Sequence, residues 1–334
     1  MNYNCINKQY LEFTMSSPYL EMIRSELRTR RYSIQTEKVY LYWIKYFILF
    51  NDKKHPDDMG NHNIERFLNN LAVNKQVSAA TQNQALCAIM FLYRYIVKRE
   101  IKGLSYSFTK REKALPTVLT HEEALTIINK LSGKYRLIAS ILYGCGLRIN
   151  EALKLRVKDL NLENNTLFIF RGKGKKDRYT LLPKSLNNDL NNQIEYVKNT
   201  HSNDLAQGYG LTSLPPALLR KYGNAAKDFS WQYLFPSSTR CVHPYDGYIC
   251  RHHLHETSFR KQLRKAVLAA KLTKSVKAHT FRHTFATQLL VNGCDIRTVQ
   301  ELLGHTDLKT TELYTHVIGS RFSNTMSPID KALT

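Results

Sequence analysis

The spacing of its apolar residues constrains the fold of this chain more than any other feature. From residue 17 to residue 101 these residues recur every three or four positions, the period of a helix with one buried face. Polar joints separate four such stretches, and Ser33 and Ser78 stand where N-cap residues would begin two of them. The clearest apolar stripes consist of Val39, Trp43, Tyr46, Phe47 and Phe50, and of Leu86, Ile89, Tyr93, Ile96 and Val97. We predict a four-helix domain over residues 17–101 whose aromatic rings form its core.

The pattern of the second half predicts another helical domain, which carries a small antiparallel sheet. Thr120 and Glu123 have the spacing of a capping box, and a helical apolar run over 137–143 follows. Segments 166–170 and 178–182 flank the sequence RGKGKKD and favour a β-hairpin with a Gly- and Lys-rich tip. Further helices are predicted at roughly 185–200, 257–271, 280–292 and 295–303, and the segment 201–256 is irregular. The fold class is therefore mainly α, with an α-rich second domain over residues 117–321.

Three segments lie outside the two predicted domains. Residues 1–16 read as a polar leader, and residues 322–334 form a tail too short to fold without something to pack on. Residues 102–116 are a linker whose basic run includes Lys110 and Arg111. That run either lies along a phosphate backbone or forms a solvated hinge.

The charge of the chain points to a polyanionic partner. Its 49 Lys and Arg residues outnumber its 27 Asp and Glu residues, which gives a formal net charge of +22. The excess is spread over both predicted domains and exceeds what solubility requires. Nucleic acid is the leading candidate partner, and an anionic membrane surface is the lesser one.

Other classes of protein are disfavoured by sequence features that are missing. The longest apolar runs fall short of the roughly 20 residues that a membrane span needs. The N-terminal residues do not form the apolar region of a secretory signal, and no P-loop sequence occurs. The 6 cysteines are scattered, which predicts free thiols in a reducing cytoplasm.

Four short segments of the second half offer cations, imidazoles and a phenol. They contain Arg148 with Glu151, Lys173, His279 with Arg282, and His305 with Tyr314. Taken singly, each residue could have a purely structural role. Arg148 and Glu151 have the spacing of a surface ion pair on a helix, Lys173 suits a turn, and His279 suits a half-buried position. Tyr314 is one of 20 tyrosines. Their order within one basic chain is what indicates a shared site.

Such a set suits the cleavage of a phosphodiester. Arginine forks bind the nonbridging oxygens and stabilise the charge that grows on them as a nucleophile attacks. A tyrosine hydroxyl becomes a nucleophile when an imidazole takes its proton, and a mobile lysine can protonate the leaving 5′-oxygen. We expect no metal ion, because protein cations carry the charge. We expect no ATP or other cofactor, because a phosphotyrosine ester conserves the energy of the broken bond.

The sequences GLRINEAL, GKGKKDR, HTFRHTFAT and LLGH, with the tyrosine that follows them, resemble the catalytic signature of the tyrosine recombinases. The resemblance covers residues 120–318 and implies the fold of that family, a SAM-like core-binding domain followed by an α-rich catalytic domain. It implies that the scissile phosphate is bound by Arg148 and Arg282, with His305 donating a further hydrogen bond. It implies Tyr314 as nucleophile, Lys173 as general acid, His279 in proton transfer at the tyrosine and Glu151 as a brace. Position within GKG favours Lys173 over Lys175 and Lys176.

The stretch from about 214 to 256 resembles the insertion of the integron integrases, which Xer-type and most phage recombinases lack. In that family the insertion is associated with folded single-stranded attC sites, which are hairpins marked by bases flipped out of the stack. Aromatic and imidazole planes can sandwich such bases, and the candidates here are Trp231, Pro244, His252 and His253. Two alternatives stay open for the insertion. One is a packing role, and the second is a zinc site drawn from Cys241, His243, Cys250, His252, His253 and His255.

The resemblance also implies partners and a location. The partners are DNA, as folded hairpins and as double-stranded attachment sites, and three further copies of the chain in a tetramer on DNA that exchanges C-terminal tails. The location is the bacterial cytoplasm, with no membrane partner. Three alternatives stay open: a Xer- or phage-type recombinase of double-stranded sites, a type IB topoisomerase, and a non-catalytic DNA-binding protein.

Overall fold

The computed structural model describes residues 17–107, 116–170, 177–244, 246–312 and 314. The chain divides into two compact units, Met1–Lys113 and Ala114–Thr334. Both units are built mainly from helices, and the described strands form small antiparallel sheets. The fold class predicted from the sequence is therefore confirmed. Among the helices within these ranges, none is long and apolar enough to cross a membrane.

Several sequence predictions fall outside the described residues. They are the leader at 1–16, the linker positions Lys110 and Arg111, the hairpin tip with Lys173, Lys175 and Lys176, and the tail at 322–334. These stay predictions from the sequence.

Four helices and a π-helical turn make up the described part of the N-terminal unit. They are α1 (Pro18–Thr29), α2 (Ile34–Phe50), α3 (Asn61–Val73) and α4 (Ala79–Phe91), which continues into the turn Leu92–Val97. The side-chain oxygens of Ser33 and Ser78 accept hydrogen bonds from the backbone N–H groups of Thr36 and Thr81. Both predicted N-caps are confirmed, and each satisfies a backbone donor that the first helical turn leaves without a partner.

The aromatic stripes lie in the core of this unit, as predicted. Phe47 and Tyr93 are fully buried, and Trp43 is 7% exposed. The rings of Phe47 and Phe67 meet edge-on with centroids 5.4 Å apart, a geometry that aromatic quadrupoles favour. The Tyr93 hydroxyl donates to the backbone carbonyl of Met59 at 3.2 Å, which satisfies the polar atom that this ring buries. These rings therefore help to hold the unit together.

Helices around two apolar clusters form the frame of the C-terminal unit. They are α5 (His121–Asn129), α6 (Gly133–Gly144), α7 (Ile149–Leu153), α8 (Asn187–Ala206), α9 (Pro216–Lys221), α10 (Glu256–Ala269), α11 (Ala278–Val291), α12 (Ile296–Leu303) and α13 (Lys309–Glu312). The predicted capping box begins α5: the N–H of Thr120 donates to the Glu123 carboxylate, and the N–H of Glu123 donates to the Thr120 hydroxyl. Ile138, Phe259 and Phe281 bring α6, α10 and α11 into the core, and each is at most 1% exposed.

Two small antiparallel sheets accompany these helices. The first contains, in order, β1 (Leu160–Asn161), β2 (Thr166–Ile169) and β3 (Arg178–Leu181), and the second pairs β4 (Cys241–Val242) with β5 (Ile249–Cys250). The predicted hairpin is formed by β2 and β3, with Phe168 opposite Tyr179 and Ile169 opposite Arg178. β1 was not predicted, because two residues carry too little alternation to indicate a strand.

Polar contacts, rather than an apolar period, order the segment between α8 and α10. Arg251 donates to both carboxylate oxygens of Asp204 in α8, at 2.5 and 2.7 Å. Arg156 donates to the backbone carbonyl of Ser213 at 3.0 Å and to the hydroxyl of Tyr233 at 3.2 Å. The stretch predicted as irregular is thus a folded part of the unit, and its first residues belong to α8.

Candidate active site

Three arginines converge on one carboxylate, that of Glu151 in α7. Arg148 precedes the helix, and its backbone N–H and Nη1 donate to the two carboxylate oxygens at 2.9 and 2.8 Å. Arg178, from β3, donates two more hydrogen bonds at 3.1 and 2.8 Å. Nη1 of Arg282 lies 3.7 Å from Oε2 of Glu151. The side chains of Arg148 and Glu151 are 16% and 9% exposed, so they are not the surface ion pair that their spacing also allowed.

The charge of this network is unbalanced and positive. Three guanidinium groups surround a single carboxylate. Burial alone would raise the pKa of Glu151, but the hydrogen bonds and charges of Arg178 and Arg148 outweigh it and lower that pKa to about 2. Glu151 is therefore ionised at neutral pH and still leaves an excess of positive charge. Such an excess suits the binding of an anion such as a phosphate.

Backbone carbonyl groups anchor the arginines that lie deepest. Arg282 is 1% exposed and donates from Nη1 to the carbonyl of Gly146 at 2.6 Å and from Nη2 to the carbonyl of Leu303 at 2.5 Å. Nε of Arg178 donates to the carbonyl of Leu302 at 3.0 Å. The carbonyl end of α12 thus holds both guanidinium groups, as the negative end of a helix dipole favours.

Two glycines allow the backbone to close around these arginines. Gly146 has φ of 65°, and a Cβ built there would lie 2.4 Å from a ring carbon of Phe285. Gly304 has φ of 62°, and its Cβ would lie 2.8 Å from Cδ of Arg178. Both positions combine a left-handed backbone with no room for a side chain, which glycine alone accommodates without strain.

Tyr314 lies buried beside a histidine that the sequence did not single out. Its hydroxyl is hydrogen bonded to Nδ1 of His283, in α11, at 3.0 Å, and the residue is 3% exposed. Burial raises the pKa of Tyr314, and the charges of Arg282 and Arg148 oppose that rise. The phenol therefore lies within the electrostatic influence of the arginine network.

His305 contacts the short segment that ends in Tyr314. Its Nδ1 is hydrogen bonded to Oγ1 of Thr311 at 2.9 Å, and the backbone N–H of Tyr314 donates to the carbonyl of the same threonine at 3.0 Å. The rings of His305 and Tyr314 are nearly parallel, at 16°, with centroids 6.3 Å apart. The structure thus brings together two of the residues that the motifs placed in one site.

His279 lies one turn before His283 on α11 and is exposed. The centroids of the two imidazole rings are 5.7 Å apart. Desolvation and the charges of two neighbouring arginines lower the pKa of His279, so the ring is mainly neutral at pH 7. The side-chain hydrogen bond described for Tyr314 goes to His283 and not to His279. The predicted part of His279 in proton transfer stays a prediction, as does that of Lys173, which lies outside the described residues.

Sequence reasoning missed two residues of this site, Arg178 and His283. Arg178 was placed in the hairpin, but its partner Glu151 lies 27 positions earlier in the chain. His283 follows Arg282 and stands four positions after His279, which puts the two imidazoles on the same helix face. That spacing was a signal that could have identified it.

In the insertion, Trp231 carries a lysine over its ring. Nζ of Lys158 lies 3.0 Å from the ring centroid, and the ring of Tyr222 lies 5.8 Å away. Arg156 lies with Cζ 4.3 Å from the centroid of the Tyr233 ring. Aromatic planes next to fixed cations are a combination that suits nucleic acid.

The other predicted insertion residues divide between a cluster and a turn. Nδ1 of His252 is hydrogen bonded to Oγ of Ser213 at 2.6 Å, and Nδ1 of His253 to the carbonyl of Leu254 at 2.8 Å. Both imidazole rings meet the ring of Tyr233 edge-on, at 5.5 and 5.3 Å. Pro244 is exposed in the connection between β4 and β5. Within the part of the chain that the structure describes, no three His, Cys, Asp or Glu side chains are grouped so that they could hold a metal ion.

Comparison with known proteins places both units. Residues 117–321 match the model of the phage integrase family, and residues 19–103 match that of the N-terminal SAM-like domain of phage integrases. An integrase/recombinase of Escherichia coli is 40% identical over 312 residues, 93% of this chain and 93% of that protein. Tyrosine recombinase XerC of Lactobacillus delbrueckii subsp. bulgaricus is 27% identical over 271 residues, 78% of this chain and 79% of that protein. The crystal structure of XerH site-specific recombinase in a post-cleavage complex with its palindromic difH substrate has a TM-score of 0.61 and 24% identity, and the match covers 99% of this chain and 87% of that chain.

Proposed function

The chain belongs to the phage integrase family of tyrosine recombinases and is a site-specific DNA recombinase, and we propose that Tyr314 is its nucleophile. The observation that carries this proposal is the placement of the Tyr314 hydroxyl against an imidazole, within the electrostatic influence of Arg282 and Arg148. A phenol that attacks phosphorus needs a group to accept its proton and cations to stabilise the charge that develops on the phosphate oxygens. The imidazole can supply the first, and the two arginines can supply the second.

The arginine network is the proposed phosphate site. Arg282 uses one N–H of each Nη on a backbone carbonyl, and a guanidinium carries five N–H donors, so further donors are available for nonbridging oxygens. Arg148 immediately precedes α7, and its side chain is 16% exposed, which lets it reach a bound strand. Glu151 holds the arginines in register and takes no part in the bond changes. His305 donates a further hydrogen bond to the phosphate.

The bond changes then follow. The phenolic oxygen of Tyr314 forms a bond to phosphorus, the bond from phosphorus to the 5′-oxygen breaks, and a 3′-phosphotyrosyl ester results. Lys173 is the proposed acid that gives a proton to the leaving 5′-oxygen. An imidazole of α11, which the family motif identifies as His279, takes part in proton transfer at the tyrosine. Attack by the 5′-hydroxyl of a second strand reverses these steps and reseals the DNA. The energy of the broken bond is kept in the ester, so the exchange proceeds without a nucleotide cofactor.

We further propose that the substrate is a folded single-stranded hairpin of the attC kind, as in integron integrases. The support is the insertion between α8 and α10, which is folded onto the unit by Arg156 and Arg251 and presents aromatic rings beside cations. Flipped-out bases would stack on such planes at about 1–3 kcal/mol per base. The proposed contacts are Trp231, Pro244, His252 and His253 on these bases, with Lys110 and Arg111 along the phosphate backbone.

The proposed assembly is a tetramer on DNA, in which residues 322–334 of each copy dock onto a neighbour. The domain boundaries predicted from the sequence, 17–101 for DNA-core binding and 117–321 for catalysis, are part of this proposal. The reaction would take place in the bacterial cytoplasm, where its DNA substrates are found.

Loss of the Tyr314 hydroxyl tests the nucleophile. Tyr314→Phe should bind DNA with the affinity of the parent and form no SDS-resistant adduct with a nicked suicide substrate. Tyr143→Phe is a matched control, because the Tyr143 hydroxyl in α6 is also hydrogen bonded to a histidine, His121, at 2.8 Å. The control should form the adduct at the rate of the parent. Persistence of the adduct in Tyr314→Phe would defeat the assignment.

A gel shift tests the substrate. The protein should bind one folded strand of a hairpin site more tightly than its complement, and deletion of the flipped-out bases should erase the preference. Equal affinity for a perfectly paired duplex would favour the alternative, a Xer- or phage-type recombinase of double-stranded sites.

A further inference from the structure

We propose that His283 is the group that takes the phenolic proton of Tyr314 when the tyrosine attacks phosphorus. The proposal rests on Tyr314 being the nucleophile. It gives a role to His283, to which the sequence motifs assigned none. Nδ1 of His283 and the hydroxyl oxygen of Tyr314 are 3.0 Å apart, within reach of direct proton transfer. The phenol is 3% exposed, so bulk water has little access to it as a competing acceptor.

Both partners of this hydrogen bond are held by rigid surroundings. His283 follows Arg282, whose guanidinium is fixed by two backbone carbonyls from α12 and from the turn before α7. Tyr314 is fixed through its backbone N–H, which donates to the carbonyl of Thr311. The side chain of Thr311 is in turn hydrogen bonded to His305. A donor and an acceptor held in this way lose little orientation entropy when the proton moves.

His279 is less well placed for the same task. It lies in the first turn of α11 and is exposed, whereas His283 lies one turn further along and is half-buried against the phenol. The His279 ring approaches His283 edge-on, with centroids 5.7 Å apart. An exposed imidazole at the positive end of a helix suits contact with the DNA phosphate better than contact with a buried phenol.

The surroundings of His283 keep it in the form that accepts a proton. Burial, together with electrostatic interactions with His279 and the Arg282 guanidinium, lowers the pKa of His283 to about 4, so its ring is neutral at pH 7. With the ring proton on Nε2, Nδ1 has a lone pair directed at the phenol. A DNA phosphate bound by the arginines brings negative charge, which raises the pKa of a nearby imidazole. The base therefore gains strength when the substrate arrives, and Tyr314 stays protonated without it.

The proposed step is balanced in protons and electrons. The O–H bond of Tyr314 breaks as an N–H bond forms at Nδ1 of His283, and the phenolic electron pair forms the bond to phosphorus. The 5′-oxygen leaves with the electron pair of its phosphorus bond and receives a proton from the general acid. In the resealing step, the His283 imidazolium returns its proton to the departing phenolate.

Single-turnover cleavage of a nicked suicide substrate tests the step. His283→Ala should form the covalent adduct about 100- to 10,000-fold more slowly than the parent, the range typical for loss of a general base, with DNA affinity unchanged. His283→Gln, which can still hydrogen bond to the phenol but cannot take its proton, should be similarly slow. His121→Ala is the matched control, since it removes an imidazole that is likewise hydrogen bonded to a tyrosine, Tyr143, and it should cleave at the rate of the parent.

A fluorinated tyrosine at position 314 separates a base from a merely structural residue. Fluorination lowers the pKa of the phenol, so the cleavage rate depends less on a group that accepts the phenolic proton. The slow cleavage of His283→Gln should then recover by at least about tenfold relative to the same protein with ordinary tyrosine, a gain worth about 1.4 kcal/mol of barrier. A parent-like rate for His283→Gln, or the same slow rate with fluorinated tyrosine, would overturn the proposal.

These outcomes are distinct from a failure of the proposed function. If Tyr314→Phe still forms the adduct, the nucleophile is misassigned and the part of His283 falls with it. If Tyr314→Phe forms no adduct while His283→Ala and His283→Gln cleave like the parent, Tyr314 remains the nucleophile and only the inference about His283 is wrong.

Discussion

Two regions of the C-terminal unit use arginines in different ways. In the active-site network, three arginines share one carboxylate, that of Glu151. In the insertion, Arg251 forms a bidentate pair with Asp204, and its Nη1 also donates to the carbonyls of Ser237 and Ser238. Arg240 also donates to Asp204, at 3.4 Å, so two arginines share that carboxylate, and the positive excess of the second arrangement is smaller than that of the first.

The two regions differ in how much positive charge is left for a bound anion to balance. Arginines bonded in a fixed geometry to a carboxylate and to carbonyls hold backbone segments together, which is what the insertion needs because it has little apolar period of its own. A cluster with excess positive charge is costly unless a ligand completes it. On the proposed function, a DNA phosphate completes the network around Glu151, and the hydrogen bonds of the insertion hold the shape of its surface.

Removal of the two carboxylates should separate these functions and gives the largest expected effect. Glu151→Ala leaves three buried guanidinium groups without a counter-charge, so it should lower the free energy of unfolding by about 3–5 kcal/mol and abolish adduct formation. Asp204→Ala should cost less, since carbonyls still hold Arg251, and should weaken hairpin binding while a nicked duplex is still cleaved. Urea unfolding and suicide-substrate cleavage measure both. Equal loss of cleavage in the two variants would show that the two carboxylates do not have different roles.

The next largest effect is expected in acid unfolding, through the pKa of Glu151. The pKa of Glu151 falls from 4.5 to about 2 on folding, so its stabilising contribution is complete above pH 4.5 and is lost as the pH falls through 2. The shift corresponds to roughly 3 kcal/mol. Glu151→Gln should therefore make stability less dependent on pH between 4.5 and 2, as read from urea midpoints. An unchanged slope in that range would contradict the buried network.

The smallest effect is expected at the insertion surface. Trp231→Ala should weaken hairpin binding by about 1–3 kcal/mol, because a stacking plane is lost, and should leave the cleavage rate at saturating DNA unchanged. Trp231→Phe keeps an aromatic plane and should retain most of the affinity. A cleavage rate that falls with Trp231→Ala would mean that the insertion acts on the chemistry as well as on binding.

Much of the fold could be predicted because its signals are local. Ser33 and Thr120 predict helix starts, because each caps a helix through a hydrogen bond to a backbone N–H three residues later. The aromatic stripe around Phe47 predicts a buried helix face. The short helix α7 and the strand β1 have no such signal, since five and two residues show no period.

The site was predictable only as far as its motifs reach. Arg148, Arg282 and Tyr314 stand in recognisable sequences, but Arg178 and His283 owe their significance to partners 27 and 31 positions away. Which imidazole meets the phenol depends on how α11 turns against the segment that carries Tyr314, and tertiary packing sets that rotation. The motif pattern favoured His279 for that contact, and the four-residue spacing to His283 indicated a shared helix face but not which of the two rings meets the phenol.

On the proposed function, the phenol of Tyr314, beside the arginine network, attacks a phosphorus atom of a folded strand. The most direct test is peptide mapping of the covalent adduct formed on a nicked hairpin site. We expect a single modified peptide, with the DNA 3′-phosphate esterified to Tyr314. An adduct on any other residue, or cleavage that leaves no covalent protein–DNA species, would contradict it.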